Sequence, residues 1–394
     1  GGFCIAAYDT FRAHRGGPDR SAKAEGRFNR GDRHTGMTET IRLATRGSDL
    51  ALRQARRVAD TLESRRRDVK LVEVETTGDA VRDELIHRLG KTGAFVRSLD
   101  EKVLDGGVDA AVHSMKDMPT EFPPELVVAG VPERAAPEDV LVTPEGVELS
   151  SLSNGATVGT SSLRRKAQLL AERPDLDVQP LRGNVDTRVE KLLAPGVQVE
   201  WNRRLEADER DEEDDNGPSY DRPPEAWREA LSDIERRAIE RTVETEFDAI
   251  VLAEAGLDRI GLLEEIEYSR LPAPFVSAPG QGALAVTTRN DGVASTVQSG
   301  LDHPRTRVET TVERTILGTL GGGCVAPIGI YAVVQGEYVQ TQVRVLSQDG
   351  TEEIEASRDL SAERHPAAAR EFAEELAEQG AKDLIARARR DEEE

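Results

Sequence analysis

Two cysteines, Cys4 and Cys324, are all that the 394 residues contain, which excludes a disulfide framework and any zinc cluster of the CxxC type. The six histidines lack HExxH-like spacing, so no metal is expected. No apolar run approaches the roughly 18–20 residues of a membrane span, and polar breaks fall where a secretory signal needs its apolar segment. These absences predict a cytoplasmic protein with no membrane association. Abundance lies elsewhere, in charge. Acidic residues number 74 against 52 basic ones, a net charge of −22, and nearly all the bases are Arg. That balance disfavours nucleic-acid partners and keeps the chain soluble through self-repulsion, a cost at low ionic strength. Adaptation to a concentrated-salt cytoplasm is the expectation.

The length suits two or three domains rather than one core. Residues 1–36, rich in Gly and Arg and without apolar period, read as a disordered extension, an upstream mis-start or a remnant of expression. From Thr40 strands and helices alternate: a strand at Ile41 to Thr45, N-cap candidates Ser48 and Asp49, then apolar residues at helical spacing through Leu62. Further strands are expected at Val69 to Glu75, Val108 to His113 and Leu126 to Val131, with a helix face at Phe95, Leu99 and Val103. Such alternation predicts a largely parallel, helix-covered sheet. After Pro137 it restarts with strands near Val140, Ala156, Leu176 and Ala249, and with helices from about Ser162 and over Val185 to Leu193. An acidic segment between about 197 and 240 reads as a surface insertion. Beyond Arg305 one helix, a Gly-rich loop, three strands and one terminal helix make an α+β unit.

Arg164, Arg165, Arg182 and Arg188, with Arg46 upstream, fall in turns or at helix starts rather than along exposed helix faces. Thr160, Ser161 and Ser162 open a helix, offering hydroxyls and unpaired N–H groups to an anion, while Arg offers bidentate donors to carboxylates. With the turn Leu181-Arg182-Gly183-Asn184 they form two halves of one anion cradle. In a chain so rich in Arg, any one of them reads equally as a solvated surface charge. Asp117 follows a strand, where α/β proteins place ligands, and can stabilise a developing cation or move a proton. The alternative is a local pair with Lys116. His113 reads as a satisfied strand-end residue. Cys324, in Gly321-Gly322-Gly323-Cys324, suits a covalent adduct in a loop that backbone and ligand approach closely; the alternative is an inert buried thiol.

Six runs in order carry a closer likeness: 41–48 (IRLATRGS), 111–119 (AVHSMKDMP), 158–165 (VGTSSLRR), 181–185 (LRGNV), 280–283 (GQGA) and 321–329 (GGGCVAPIG). Together they resemble the porphobilinogen deaminase (hydroxymethylbilane synthase) family from Ile41 to the C-terminal helix. The resemblance implies a transferase that condenses four porphobilinogen molecules head to tail, with loss of ammonia, into linear hydroxymethylbilane. It implies a dipyrromethane cofactor on a thioether to Cys324, and Asp117 stabilising the cationic azafulvene that the next ring attacks. Ser114, Lys116, Thr160, Ser162, Arg164, Arg165, Arg182 and Gly183 would bind the cofactor, and Arg46, Ser48 and Arg188 the substrate. The implied fold is α/β, with two domains like those of type II periplasmic binding proteins around a cleft and a small α+β C-terminal domain. The boundaries expected are 37–135 with 281–301 for the first domain, 136–280 for the second and 302–394 for the third, in a monomer. Hinges are expected near Glu133 to Pro137 and Ser277 to Gln281.

The family often has Lys where Thr92 stands, with Lys91 shifted beside it, and Arg where Thr77 stands. A rival of another class is a non-catalytic two-domain anion-binding module, which has no need of Cys324. A second rival, a thiol- or acyl-transfer enzyme using Cys324 as turnover nucleophile, lacks a recognisable His base. Melting temperatures in dilute buffer and in roughly 1 M potassium chloride, where the Debye length falls to about 3 Å, test the salt reading. The temperature is expected to rise with salt; equal stability in both would remove that reading.

Overall fold

The computed structural model describes residues 39–64, 66–74, 94–209, 220–323 and 326–393. The expectations about residues 1–36, Thr77, Lys91 and Cys324, and about the acidic centre of the insertion at 210–219, lie outside those residues. Among the described residues no helix is long and apolar enough to cross a membrane.

Two five-stranded sheets are built to the same plan. The first holds β1 (Glu39–Thr45), β2 (Arg67–Glu73), β3 (Ala110–Ser114), β4 (Leu126–Gly130) and a late arrival, β10 (Leu284–Arg289), in the order β2-β1-β3-β10-β4. The second holds β5 (Asp139–Val142), β6 (Thr157–Gly159), β7 (Asp177–Gln179), β8 (Ala249–Ala253) and β9 (Tyr268–Arg270), in the order β7-β6-β8-β5-β9. In each, four strands are parallel and one is reversed, and the reversed strand is the first after the chain crosses from the other sheet. The crossings run through residues 131–138 and 271–283. This is the mixed, mainly parallel α/β architecture of type II periplasmic-binding-protein domains.

Both sheets read as parallel sheets should, apolar on both faces. Leu43, Ala44, Val140, Leu141, Ile250 and Val251 are all buried. Helix α1 (Asp49–Leu62) buries Ala55, Val58, Ala59 and Leu62 against the first sheet, and the Ser48 hydroxyl caps it by accepting from the Ala51 amide at 3.3 Å. Helix α2 (Ala94–Leu104) buries Leu99 and Val103 on the opposite face.

In the second sheet, α3 (Leu163–Glu172) starts on the Ser162 cap, and α4 spans Val185–Asp208. The expected end near Leu193 is therefore corrected: the helix runs on through Pro195 and Gly196 into the insertion. Tertiary contacts override the local breakers. Gln198 donates to the carbonyls of Ala238, Ile239 and Arg241, and buried Glu190 pairs with Arg237 at 2.6 Å and with Arg241. Trp201 stacks on Trp227 at 6.2 Å, and the Arg204 guanidinium lies 4.2 Å from the Tyr220 ring centroid. The short helices α5 (Pro224–Ala230) and α6 (Asp233–Ile239) complete the insertion, and α7 (Glu254–Ile260) follows β8.

After α8 (Gly292–Leu301) and α9 (Pro304–Thr319), an antiparallel sheet of β11 (Ile328–Gln335), β12 (Tyr338–Leu346) and β13 (Glu353–Ser361) packs on α9 and on the C-terminal helices. The single terminal helix expected is two, α10 (His365–Glu378) and α11 (Ala381–Glu393). Gly380 breaks them apart at φ +99°, a conformation that ends helices.

One buried carboxylate ties these parts together. Glu313, on α9, is fully buried and accepts from both Nη atoms of Arg134 at 2.7 and 3.2 Å, from the Gly280 amide at 2.6 Å and from the Ala332 amide at 2.8 Å. Arg134 lies in the first crossing, Gly280 in the second and Ala332 in the third sheet. Burial pushes the Glu313 carboxyl up, while the guanidinium and two amides pull it back toward the charged form. Glu313→Ala strands Arg134 without its counter-ion, and we expect it to cost about 3–5 kcal/mol, read as a fall in denaturant midpoint.

Candidate active site

Every candidate in the two α/β units lies at or just beyond the carboxyl end of a parallel strand, or in the helix that follows it. Arg46 and Ser48 follow β1, Ser114 ends β3 with Lys116 and Asp117 in the one-turn 3-10 helix Met115–Asp117, Thr160 and Ser162 follow β6, and Arg182 and Gly183 follow β7. That edge of an α/β sheet is where loops and helix N-termini converge on ligands. Asp117 is exposed and, among the described residues, forms neither a hydrogen bond nor an ion pair, so the local pair with Lys116 is not made.

Electrostatic influence links several of these groups. Lys116 is lowered to about 8, by burial first, then raised by Asp117, lowered by Arg165, raised by Asp139 and lowered by Arg164. Arg188, on α4, is lowered to about 10 by burial and by Arg165, with Asp117 opposing. Lys116 and Asp117 come from the first sheet, Arg165 and Arg188 from the second. Lys116 is therefore within electrostatic reach of Asp117, Asp139, Arg164 and Arg165, and Arg188 within reach of Asp117 and Arg165.

Arg164 and Arg165 depart from the expectation of open carboxylate binders. Both are buried, at 4% and 5% exposure. Arg164 Nη1 donates to Asp139 Oδ2 at 2.6 Å and to the Val276 carbonyl at 2.9 Å. Arg165 donates to Asp139 Oδ1 from Nε at 3.0 Å and Nη2 at 2.8 Å, and to the Val251 carbonyl at 3.0 Å. The Gln281 amide adds a third partner to Asp139 at 2.9 Å, and these donors hold that carboxyl well below the usual range against the opposing effect of its burial. Sequence reading missed Asp139. Its signal is a lone acid opening an otherwise apolar strand, since a buried carboxylate demands cationic partners.

The hydroxyls are shared between structure and cleft. Ser162 Oγ caps α3, Thr160 Oγ1 accepts from the Ser162 amide at 3.2 Å, and Ser161 Oγ donates to the Leu181 carbonyl at 2.6 Å, joining the two halves of the cradle. Gly183 adopts φ +113°, where an added Cβ would lie 2.6 Å from Thr187 Cγ2; its carbonyl accepts from Arg188 Nε at 2.8 Å. Arg182 is half-buried without an ion-pair partner among the described residues. Ser114 and Arg46 are half-buried, and buried His113 is satisfied by Asp100 at 2.9 Å and Thr287 at 3.0 Å.

A second residue escaped the sequence. Arg259, on α7, is lowered to about 10 by burial and by Arg57, donates to the Gly282 carbonyl at 2.6 Å, and has a buried Nε without a partner. It follows β8 as Arg164 follows β6, which is the signal that could have found it.

Family models match this architecture in two parts: the porphobilinogen deaminase dipyromethane cofactor binding domain over residues 41–200 and 228–296, and the porphobilinogen deaminase C-terminal domain over 308–382. The chain belongs to the porphobilinogen deaminase family, transferases that act on porphobilinogen with a dipyrromethane cofactor. It is 51% identical to a probable porphobilinogen deaminase of Halobacterium salinarum, over 89% of this chain and 99% of that one. It is 38% identical to a probable porphobilinogen deaminase of Methanococcoides burtonii, over 87% and 95%, and 36% identical to a porphobilinogen deaminase of Syntrophomonas wolfei, over 89% and 99%. The family match pauses at residues 201–227, within the segment expected to be an insertion, and the Halobacterium relative agrees with a salt-adapted chain.

Lys116 supplies a pH test. Its amine is charged below about 8, so affinity for an anionic substrate should weaken as pH rises through that value. KM for porphobilinogen is expected to climb between about pH 7 and 9, and Lys116→Arg, which stays charged, should flatten the profile.

Proposed function

We propose that this cleft joins four porphobilinogen units head to tail, with Asp117 as the catalytic carboxylate and Cys324 as the attachment point of a dipyrromethane primer. The exposed Asp117, at the end of β3 and within electrostatic reach of Lys116 and Arg188, carries the reading. Dipyrromethane bears acetate and propionate arms, and the residues present fit it. Lys116 and Arg188 lose protons more readily than usual because burial and like charge disfavour their cationic forms, and a carboxylate beside them reverses both penalties. When bound, the group supplies a pyrrole chain end that each new unit extends.

The chain's own residues do the remaining work. Lys116 and Arg188 bind carboxylate arms from opposite sides of the cleft, with Arg182, Arg46, Ser48 and Ser114 completing the cradle. Arg164 and Arg165 contribute through Asp139, which fixes the helix start that carries Ser162 and Thr160. Asp117, whose carboxylate is not neutralised by a partner, stabilises positive charge developing on the substrate pyrrole as ammonia leaves and accepts the proton released. The crossings at 131–138 and 271–283 serve as hinges between two domains, and the third domain presents Cys324. A monomer in the cytoplasm suits a cleft built within one chain and a charge of −22 that opposes self-association.

The intact mass under denaturing conditions tests this reading. We expect an excess of two porphobilinogen units less two ammonias, lost in Cys324→Ala and kept in Asp117→Ala, and we expect Asp117→Ala to abolish turnover. An Asp117→Ala protein of full activity would sink the assignment.

A further inference from the structure

The turn bearing Lys116 and Asp117 is gripped from behind by the third sheet's long helix. Arg314, on α9, donates from Nη1 to the carbonyls of Met115 and Met118, both at 3.3 Å, and from Nη2 to the carbonyl of Pro119. Its guanidinium also lies 5.9 Å from the centroid of the Phe122 ring. The first two carbonyls bracket Lys116 and Asp117.

That turn is weakly determined by itself, since its single internal bond runs from the Met118 amide to the Met115 carbonyl at 3.2 Å. Outside contacts define it, beginning with the Met115 amide, which donates to the Ala283 carbonyl at 3.0 Å. The second crossing presses on it at Gly280, φ +74°, where an added Cβ would lie 2.5 Å from Met115 Cγ and 3.3 Å from the Lys116 amide nitrogen. Arg314 supplies the grip from the opposite side of the chain, on three carbonyls. Its planar fork spreads five donors in a fixed geometry over separated carbonyls, which the three donors of a lysine's compact ammonium match less well. The helix behind it is fixed by the neighbouring Glu313, bonded to Arg134, Gly280 and Ala332.

We propose that Arg314 is a positioning residue for the transferase reaction: it sets the direction of the Asp117 carboxylate and, through α9, ties that carboxylate to the loop leading to Cys324. Helix α9 ends at Thr319, and the glycines 321–323 then lead to the cysteine. One rigid element thus spans the interval between the turn of the acid and the approach to the growing chain's anchor. Orientation errors on the scale of an ångström are enough to slow catalysis about a hundredfold.

The inference rests on Asp117 being the catalytic carboxylate, and the test keeps the two apart. Steady-state turnover of porphobilinogen is measured for the holoenzyme and for Arg314→Met, Arg314→Lys and Asp117→Ala, with melting temperature and intact mass recorded for each. A folded Arg314→Met protein of unchanged attached mass should lose about ten- to a hundredfold in kcat while KM stays within about twofold. Arg314→Lys should recover part of the loss. Wild-type kcat in a folded Arg314→Met protein, with Asp117→Ala inactive, overturns the inference and leaves the role of Asp117 standing. An active Asp117→Ala protein removes the ground for both. A joint fall of kcat, melting temperature and attached mass assigns Arg314 a merely structural part and also overturns the inference. If Arg314→Met does not fold, Arg314→Lys decides: a several-fold loss of kcat at unchanged KM supports positioning, and wild-type kcat refutes it.

Discussion

Asp139 shares one buried carboxylate between two buried guanidiniums, and the cleft depends on that triad. Arg164 approaches at 2.6 Å and Arg165 at 2.8 Å, while Gln281 reaches in from the second crossing at 2.9 Å. None of these groups could be buried alone, because an ion withdrawn from water needs partners at hydrogen-bond distance. Their mutual need fixes the start of the reversed strand β5, the N-terminal turn of α3 and the segment returning to the first sheet as one piece. Beside it, burial makes the cationic forms of Lys116 and Arg188 easier to discharge than usual.

The elements that position the site were largely legible in the residues. Ser48 and Ser162 cap the helices they precede, and the apolar runs at Ile41, Val140 and Ala249 became central strands. Local chemistry decides those features, so local reading finds them. Illegible features are settled by distant partners. Arg134 and Glu313 are separated by 179 positions, and nothing beside Arg164 or Arg165 announces Asp139, 25 and 26 positions away. The same holds for α4. Pro195 and Gly196 argue for a stop, and only the contacts of Gln198 and Glu190 with the insertion's helices explain why the helix continues.

Within the site, reading by residue type named the cations without sorting them. Arg164, Arg165 and Arg188 follow strands alike, yet two of them serve an internal carboxylate and the third bonds the Gly183 carbonyl of its own turn within electrostatic reach of Asp117. Distinguishing an arginine that holds the scaffold from one that awaits a ligand requires knowing where acids are buried, which is information about packing.

The late return of the reversed strand β10 to the first sheet has a bearing on how the chain is made. Strand β10 sits between β3 and β4, yet it is synthesised only after all five strands of the second sheet. A nascent chain that has released β1 through β4 has a sheet with a gap in its middle, and β4 has no neighbour until β10 arrives. Completion of the first sheet is therefore a late, non-local event of the kind that slows folding and leaves strand edges open meanwhile. A cut within either crossing would part β10 from the strands on both sides of it and so break the first sheet, whereas the second, whose five strands are contiguous in the chain, would stay on one piece.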